Sequence, residues 1–343
     1  METKKVGFYG GKFIPLHNGH IYSIIKARSQ VDKLYVVVAY VESRDKDLCE
    51  TNGIPYIHFN TRLKWLKEIT KDWDNVEVIA VEDCYEGDLE NMWKVGANSI
   101  IKAIPEKITH IFSSESSYEQ YFKRYYGQDV NHIILDEDRS NFNVSATKIR
   151  TEGIFENWDL IPKVAQPYYT KKIAIVGTES CGKSTLVKSL ATLFNTNYVE
   201  EYGRTRCEEL GDGSELLTEQ NYREFAIGQK NIEFRKILDS NKILFIDSEA
   251  VVTQFYAELY QNEHYNWLDG IIGMQDYDLY IYLESDVKWV SDGYRVHGSQ
   301  EIREKNNIKL KQMYANYGID LQIISGNYDD RLDKCIELVK NIM

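Results

Sequence analysis

Residues Ile173–Thr185 read IAIVGTESCGKST, an apolar run of strand character, then Gly177–Ser184 in the pattern G-x-x-x-x-G-K-[ST], then a segment of helical periodicity. The order strand, glycine-rich turn, helix is what a phosphate-binding loop requires. The glycines let the backbone curl so that successive N–H groups point at phosphate oxygens, and the helix adds its positive end. In that pattern Gly177, Gly182, Lys183, Ser184 and Thr185 are expected to hold ATP, Lys183 on the phosphates and Ser184 on Mg²⁺. The loop lies mid-chain, with a kinase-sized segment after it and about as many residues before it.

Downstream, a strand is expected near 197–200, then EYGRTR (Glu201–Arg206), then a long helical pattern over Glu219–Leu238. KILFIDSE follows, an apolar strand ending in Asp247, the form of a carboxylate that positions Mg²⁺. An aspartate in that place can also be a plain helix cap. After another core strand in DLYIYLESD comes WVSDGYRVHGSQEIRE (Trp289–Glu304), polar and carrying Arg295 and Arg303. It suits a lid that brings cations to the transferred phosphoryl group, against the alternative of a surface loop with two solvated arginines.

Upstream, strand-like runs at 5–9, 34–41, 76–81, 109–112 and 132–135 alternate with helical patterns such as 21–29, 61–70 and 90–103. This alternation predicts a doubly wound parallel sheet. Its first strand-to-helix turn is GFYGGKFIPLHNGHI (Gly7–Ile21), which is not a G-x-G-x-x-G dinucleotide fingerprint. Gly10 and Gly11 allow close backbone approach to a phosphate, with Lys12 beside them; His17 and His20, three apart at a helix start, face the same way. A metal pair is the weaker reading of these histidines, because no third ligand is suggested. Near the end of this half, VSATKIR (Val144–Arg150) reads as a helix start with Ser145 as cap and Thr147, Lys148 and Arg150 in its first turns, a second cradle for phosphates.

The 343 residues suggest two α/β domains, over 1–155 and 171–343, joined by an ordered connector over 156–170 that carries Trp158 and two prolines rather than a Gly/Ser tether. A net charge of −12 argues against a nucleic-acid partner. Five scattered cysteines without a C-x-x-C pair indicate neither a disulfide framework nor a zinc site, and a reducing cytoplasm is the expected location. No export signal or membrane span is expected, nor a DNA-binding domain ahead of Lys4. Homo-oligomerisation stays open.

GGKFIPLHNGH and VSATKIR, in this order, resemble the two signatures of the nucleotidyltransferase superfamily, with Val144 in place of the usual Ile. With FSSE (112–115), DEDRSNFN, the phosphate loop, EYGR, FID and WVSDGYR-x-x-GSQ added, nearly the whole chain resembles the bifunctional nicotinamide mononucleotide (NMN) adenylyltransferase/ribosylnicotinamide kinase family. The resemblance implies a Rossmann-like nucleotidyltransferase followed by a P-loop kinase. The first domain would join NMN to ATP, giving NAD and pyrophosphate. Lys12, His17, His20, Lys148 and Arg150 would neutralise the phosphates, and Trp93 would be either a platform for the nicotinamide ring or core. The second would phosphorylate ribosylnicotinamide, with Tyr202 and Arg204 at the acceptor and Asp247, Glu201 or Glu249 as the base. Thr205 and Glu249 depart from the family's usual acidic residue and Asp. Two rivals remain: a nucleotidyltransferase and kinase for other metabolites, and a nucleotide sensor with weak turnover.

Overall fold

Ten strands form among the described residues, which are 4–138, 140–210, 216–286 and 300–343 of a computed structural model, and every strand pairing is parallel. The chain divides into two units, Met1–Tyr169 and Thr170–Met343. In the first, β1 (Val6–Gly11), β2 (Lys33–Tyr40), β3 (Val76–Glu82), β4 (His110–Ser113) and β5 (Asn131–Ile134) take the order β3-β2-β1-β4-β5. In the second, β6 (Lys171–Val176), β7 (Tyr198–Val199), β8 (Ile243–Asp247), β9 (Leu279–Leu283) and β10 (Gln322–Ile324) take the order β10-β9-β6-β8-β7.

Continuous apolar strands are buried on both faces, as a parallel sheet covered by helices demands. Along β2, Leu34, Val36 and Val38 enter a core with Trp65 and Leu66, while Tyr35 and Val37 enter another with Ile104 and Phe122. The period-two alternation recurs in β6. Ile173 and Ile175 pack with Leu186 and Leu190, and Ala174 and Val176 pack with Phe255 and Tyr314. The long amphipathic patterns become the helices Asn18–Arg28, Phe59–Thr70, Leu89–Ala103 and Glu219–Lys236. None of the helices among the described residues is long and apolar enough to cross a membrane.

In both sheets the first strand is central, and the chain leaves it to one side before returning to the other. Such a switch opens a crevice at the carboxyl ends of the strands, where ligands bind in open α/β sheets. The turns leaving β1 and β6 therefore occupy the two functional positions.

The stretch 156–170, expected as an ordered connector between the domains, is built into the first unit as far as Tyr169. Trp158, Ile161, Ala165 and Tyr169 all belong to its core, with Trp158 only 4% exposed. Their apolar surface accounts for the order expected of this stretch and assigns it to the first core. Trp158→Ala should therefore destabilise the first unit by about 3–5 kcal/mol, read as an earlier transition in chemical denaturation. A loss below about 1 kcal/mol would show the segment to be peripheral.

Candidate functional sites

In the first unit, the turn after β1 brings both histidines to one helix start. His17 takes the cap position of the helix Asn18–Arg28 with an extended backbone, and its N–H donates to His20 Nδ1 at 3.3 Å. Accepting at Nδ1 leaves the proton of a neutral His20 on Nε2. The two rings stack with centroids 3.6 Å apart. The second motif is held against this turn. Arg150, from the helix Ala146–Glu152, donates to the Ile14 carbonyl at 2.5 Å and to the Thr147 hydroxyl at 3.0 Å. Ser145 caps that helix by accepting from the Lys148 N–H at 3.0 Å, and Lys148 Nζ reaches the Asn143 carbonyl. Arg150 thus ties the second motif to the turn that carries His17 and His20 after β1, and its charge is felt by Lys12. The Arg150 guanidinium is a brace between the motifs as well as a charge.

Beneath Lys12 lies a buried ion network that sequence reading missed. Arg62, fully buried, donates to the Lys12 carbonyl and to Asp45 Oδ2, both at 2.6 Å. Asp45 also receives Arg44, which reaches on to Asp83 at 2.9 Å. Removing one partner of such a network strands a charge in the core, at a cost of about 3–5 kcal/mol. Lys12 itself is accessible, and its pKa is lowered, by desolvation first and then by Arg44 and Arg150, against Asp45 and Asp83. Arg62 occupies an amphipathic helix, so nothing in its spacing marked it.

In the second unit, Gly177 has φ 144°, and a Cβ there would lie 2.7 Å from the Leu283 carbonyl oxygen. Gly182, at φ 92°, begins the helix Lys183–Leu193 from a left-handed backbone. Lys183 is 7% exposed and donates to the carbonyls of Gly177 and Thr178, each at 3.0 Å. Burial works to lower its pKa, but Cys181, Glu201, Asp247 and Glu179 together outweigh it and the pKa is raised. It remains a cation.

Asp247 ends β8, 2% exposed, and hydrogen-bonds Ser184. Its pKa is raised to about 6, by burial first and then by Glu201, against Lys183, Ser184 and Arg204. Among the described residues no group of three or more His, Cys, Asp or Glu side chains could hold a metal by itself. Mg²⁺ commonly takes one or two protein oxygens and leaves the rest to phosphates and water, so the hard-oxygen pair Ser184–Asp247 fits it.

Beside the loop opens a cavity of about 400 Å³, lined among others by Lys183, Glu201, Arg204, Tyr222, Tyr256 and Tyr260. Glu249 borders it too, but its carboxylate is used up. Oε1 accepts from Tyr314 at 2.5 Å, and Oε2 accepts from the Val251 N–H at 2.9 Å and Gln275 at 2.6 Å. Glu249 caps the helix Ala250–Tyr260, which corrects its candidacy as a base. Tyr202 packs with Leu217, Tyr222 and Phe225, and its hydroxyl reaches Glu224, so its ring serves packing. Arg204 pairs with Glu208 at 2.9 Å at the cavity wall, and Thr205 returns its hydroxyl to the Glu201 carbonyl.

The Trp93 indole, half-buried, stacks on Tyr121 at 4.6 Å and meets Tyr118 and Phe122 edge-on, packing against the core. Of the expected lid, Arg295 lies outside the described residues. Arg303 is buried in the helix Gln300–Asn316 rather than carried on a loop. Missed altogether was Arg331, 1% exposed, whose guanidinium ties the carbonyls of Cys181 (2.5 Å), Glu284 (2.8 Å) and Gly326 (2.9 Å) and pairs with Asp286. It clamps the phosphate loop to the end of β9 and the turn after β10.

Residues 8–152 match a cytidylyltransferase-like family model and residues 172–331 an AAA domain model. The chain is 33% identical to the trifunctional NAD biosynthesis/regulator protein NadR of Salmonella typhimurium and 32% identical to that of Escherichia coli, covering 100% of this chain and 84% of each relative. Among solved structures it is similar to a NadR protein in complex with NR, with TM-score 0.80 and 26% identity, over 100% of this chain and 97% of that one. A NadR protein in complex with NAD and AMP-PNP gives 0.79 and 25%, over 99% and 96%. With identity above 30% along its whole length and a fold shared from end to end, the chain belongs to the family of the trifunctional NAD biosynthesis/regulator protein NadR.

Proposed function

We propose that the chain is a bifunctional enzyme of NAD biosynthesis, phosphorylating ribosylnicotinamide to NMN with ATP in the second unit and adenylylating NMN with ATP to NAD and pyrophosphate in the first. One observation carries the reading. A single chain carries His17, His20, Lys12, Lys148 and Arg150 on the two motifs that meet after its first strand and, separately, a phosphate loop beside a cavity of a size suited to a nucleoside. NadR proteins crystallised with NR and with NAD and AMP-PNP support the choice of substrates.

In the first unit, a phosphate oxygen of NMN forms the new bond to the α-phosphorus of ATP, and the bond to the β-phosphate bridge oxygen breaks. A phosphate is already a nucleophile, so the protein's work is alignment and neutralisation of the departing pyrophosphate. His20 Nε2–H, Lys12 and the first turn of Ala146–Glu152 are the donors for that task. In the second unit, the 5′-hydroxyl of ribosylnicotinamide attacks the γ-phosphorus, ADP leaves, and a carboxylate takes the proton. Glu201 lines the cavity and is assigned that role, whereas Asp247 with Ser184 would hold Mg²⁺. The ion, when bound, offsets charge on the β- and γ-phosphates. The Lys183 ammonium has a third N–H to give beyond its two carbonyl bonds.

The two activities are separable. Lys183→Ala should abolish conversion of ribosylnicotinamide to NMN while NAD formation from supplied NMN persists, followed by product mass; equal loss of both in a folded variant would sink the two-site model. His20→Ala should lower adenylyl transfer by about 10²-fold or more and spare the kinase. Glu201→Gln should lower the kinase kcat by about 10²–10⁴-fold. Chelation with EDTA should stop both reactions and added Mg²⁺ restore them; activity that survives full chelation contradicts the metal assignment.

A further inference from the structure

The phosphate loop carries one side chain that phosphate binding does not explain. Glu179 places a carboxylate in a segment whose backbone is shaped to receive anions. A negative charge there opposes ATP unless it is turned elsewhere, and the geometry shows where it turns. Glu179 Oε1 accepts a hydrogen bond from the Tyr260 hydroxyl at 2.7 Å, and the residue lines the cavity beside the loop. Its other oxygen, Oε2, is buried with no hydrogen-bond partner.

A buried carboxylate oxygen without a donor is unfavourable in the free enzyme and is relieved by a ligand that brings one. That oxygen is shielded as it stands, so a donor reaches it only when the carboxylate turns toward a ligand that fills the cavity. Tyr260 belongs to the helix Ala250–Tyr260, and its ring lies nearly parallel to that of Tyr256, with centroids 5.8 Å apart. Tyr256 lines the same cavity, and Glu179 and Glu201 are the two carboxylates whose charge it feels. Two acids on an aromatic wall suit a nucleoside and are ill-suited to a second phosphate.

We propose that Glu179 determines acceptor specificity in the kinase unit, its Oε2 receiving a hydroxyl of the vicinal ribose diol of the nucleoside that is phosphorylated. This rests on the reading of the second unit as a ribosylnicotinamide kinase. The acceptor has two other kinds of donor. The carboxamide lies at the far end of the molecule from the 5′-hydroxyl, and the 5′-hydroxyl must reach the phosphorus held over Lys183. Because Glu179 is part of the loop that holds those phosphates, the ribose is the portion of the acceptor that lies beside it. Tyr260 is a positioning residue, holding Oε1 of the carboxylate at the cavity wall.

The test is steady-state kinetics of the full chain with ribosylnicotinamide and with its 2′-deoxy and 3′-deoxy forms. Adenylyl transfer by the first unit of the same chain serves as the concentration standard. In the wild-type chain, loss of the contacted hydroxyl should lower kcat/KM by about 10- to 100-fold. Glu179→Ala should raise KM for ribosylnicotinamide by about tenfold or more, leave KM for ATP in place, and shrink the penalty for the missing hydroxyl to within about threefold. Glu179→Gln keeps the shape should the alanine variant fold poorly, and it should move KM for the acceptor rather than kcat; Tyr260→Phe should show a smaller shift of the same kind. The proposal is overturned if these variants keep the full hydroxyl discrimination, if KM for ATP rises in parallel, or if only kcat and its pH profile change, which would make Glu179 a proton acceptor instead. A wild-type chain that does not turn over ribosylnicotinamide at all would refute the kinase reading itself, and that outcome is read before any variant is made.

Discussion

The first N–H groups of an α-helix have no partner inside the helix, and a strand that ends at the middle of a parallel sheet hands the chain directly to such a helix. Both units are organised around this constraint. After β1 the helix is capped at His17, and after β6 it begins from the left-handed backbone of Gly182 with no side-chain cap. In each case the positive end of the helix faces the crevice where strand order reverses. Anionic triphosphates are the ligands such an end is suited to.

What differs between the two sites is how charge around that end is balanced. The first crevice gathers cations and braces them from below, with Arg62 and Asp45 both fully buried under the Lys12 carbonyl. That suits a reaction whose two reactants both arrive as phosphates. The second site surrounds one buried ammonium with Cys181, Glu201, Asp247 and Glu179, which together raise the Lys183 pKa, and Glu179 and Glu201 line the cavity. That suits a reaction in which a hydroxyl must lose a proton. The chemistry expected of each unit thus follows from the sign of the charges around the helix end.

Arg331 shows a further level of organisation. Its hydrogen bonds join three segments that are distant along the chain, the phosphate loop, the end of β9 and the turn after β10. A loop that must present its N–H groups without reorganising needs such a buried support, because a carbonyl left free to rotate would carry the neighbouring N–H groups with it. Arg62 plays the corresponding part under Lys12. Neither residue lies in a recognisable motif, since an arginine on an amphipathic helix reads as surface until its partners are known.

The sequence by itself determined the class of the fold, the position of both strand-to-helix turns and the family. These are set by short-range rules, the alternation of apolar runs with helical periodicity and glycines where the backbone must curl. Local spacing therefore sufficed for Gly177–Ser184, for His17 with His20 and for the Ser145 cap. Only the tertiary structure decided which acidic side chains border the cavity with a free carboxylate and which are spent on capping. Glu249 and Glu201 look alike in sequence, but Tyr314, Val251 and Gln275 converge on Glu249 and leave it a cap, while Glu201 borders the cavity. It likewise placed Trp93 and Tyr202 in packing, drew residues through Tyr169 into the first core, and paired Glu179 with Tyr260 across 81 positions of the chain. Those outcomes depend on partners brought together by folding, and the residue's own neighbourhood in sequence does not contain them.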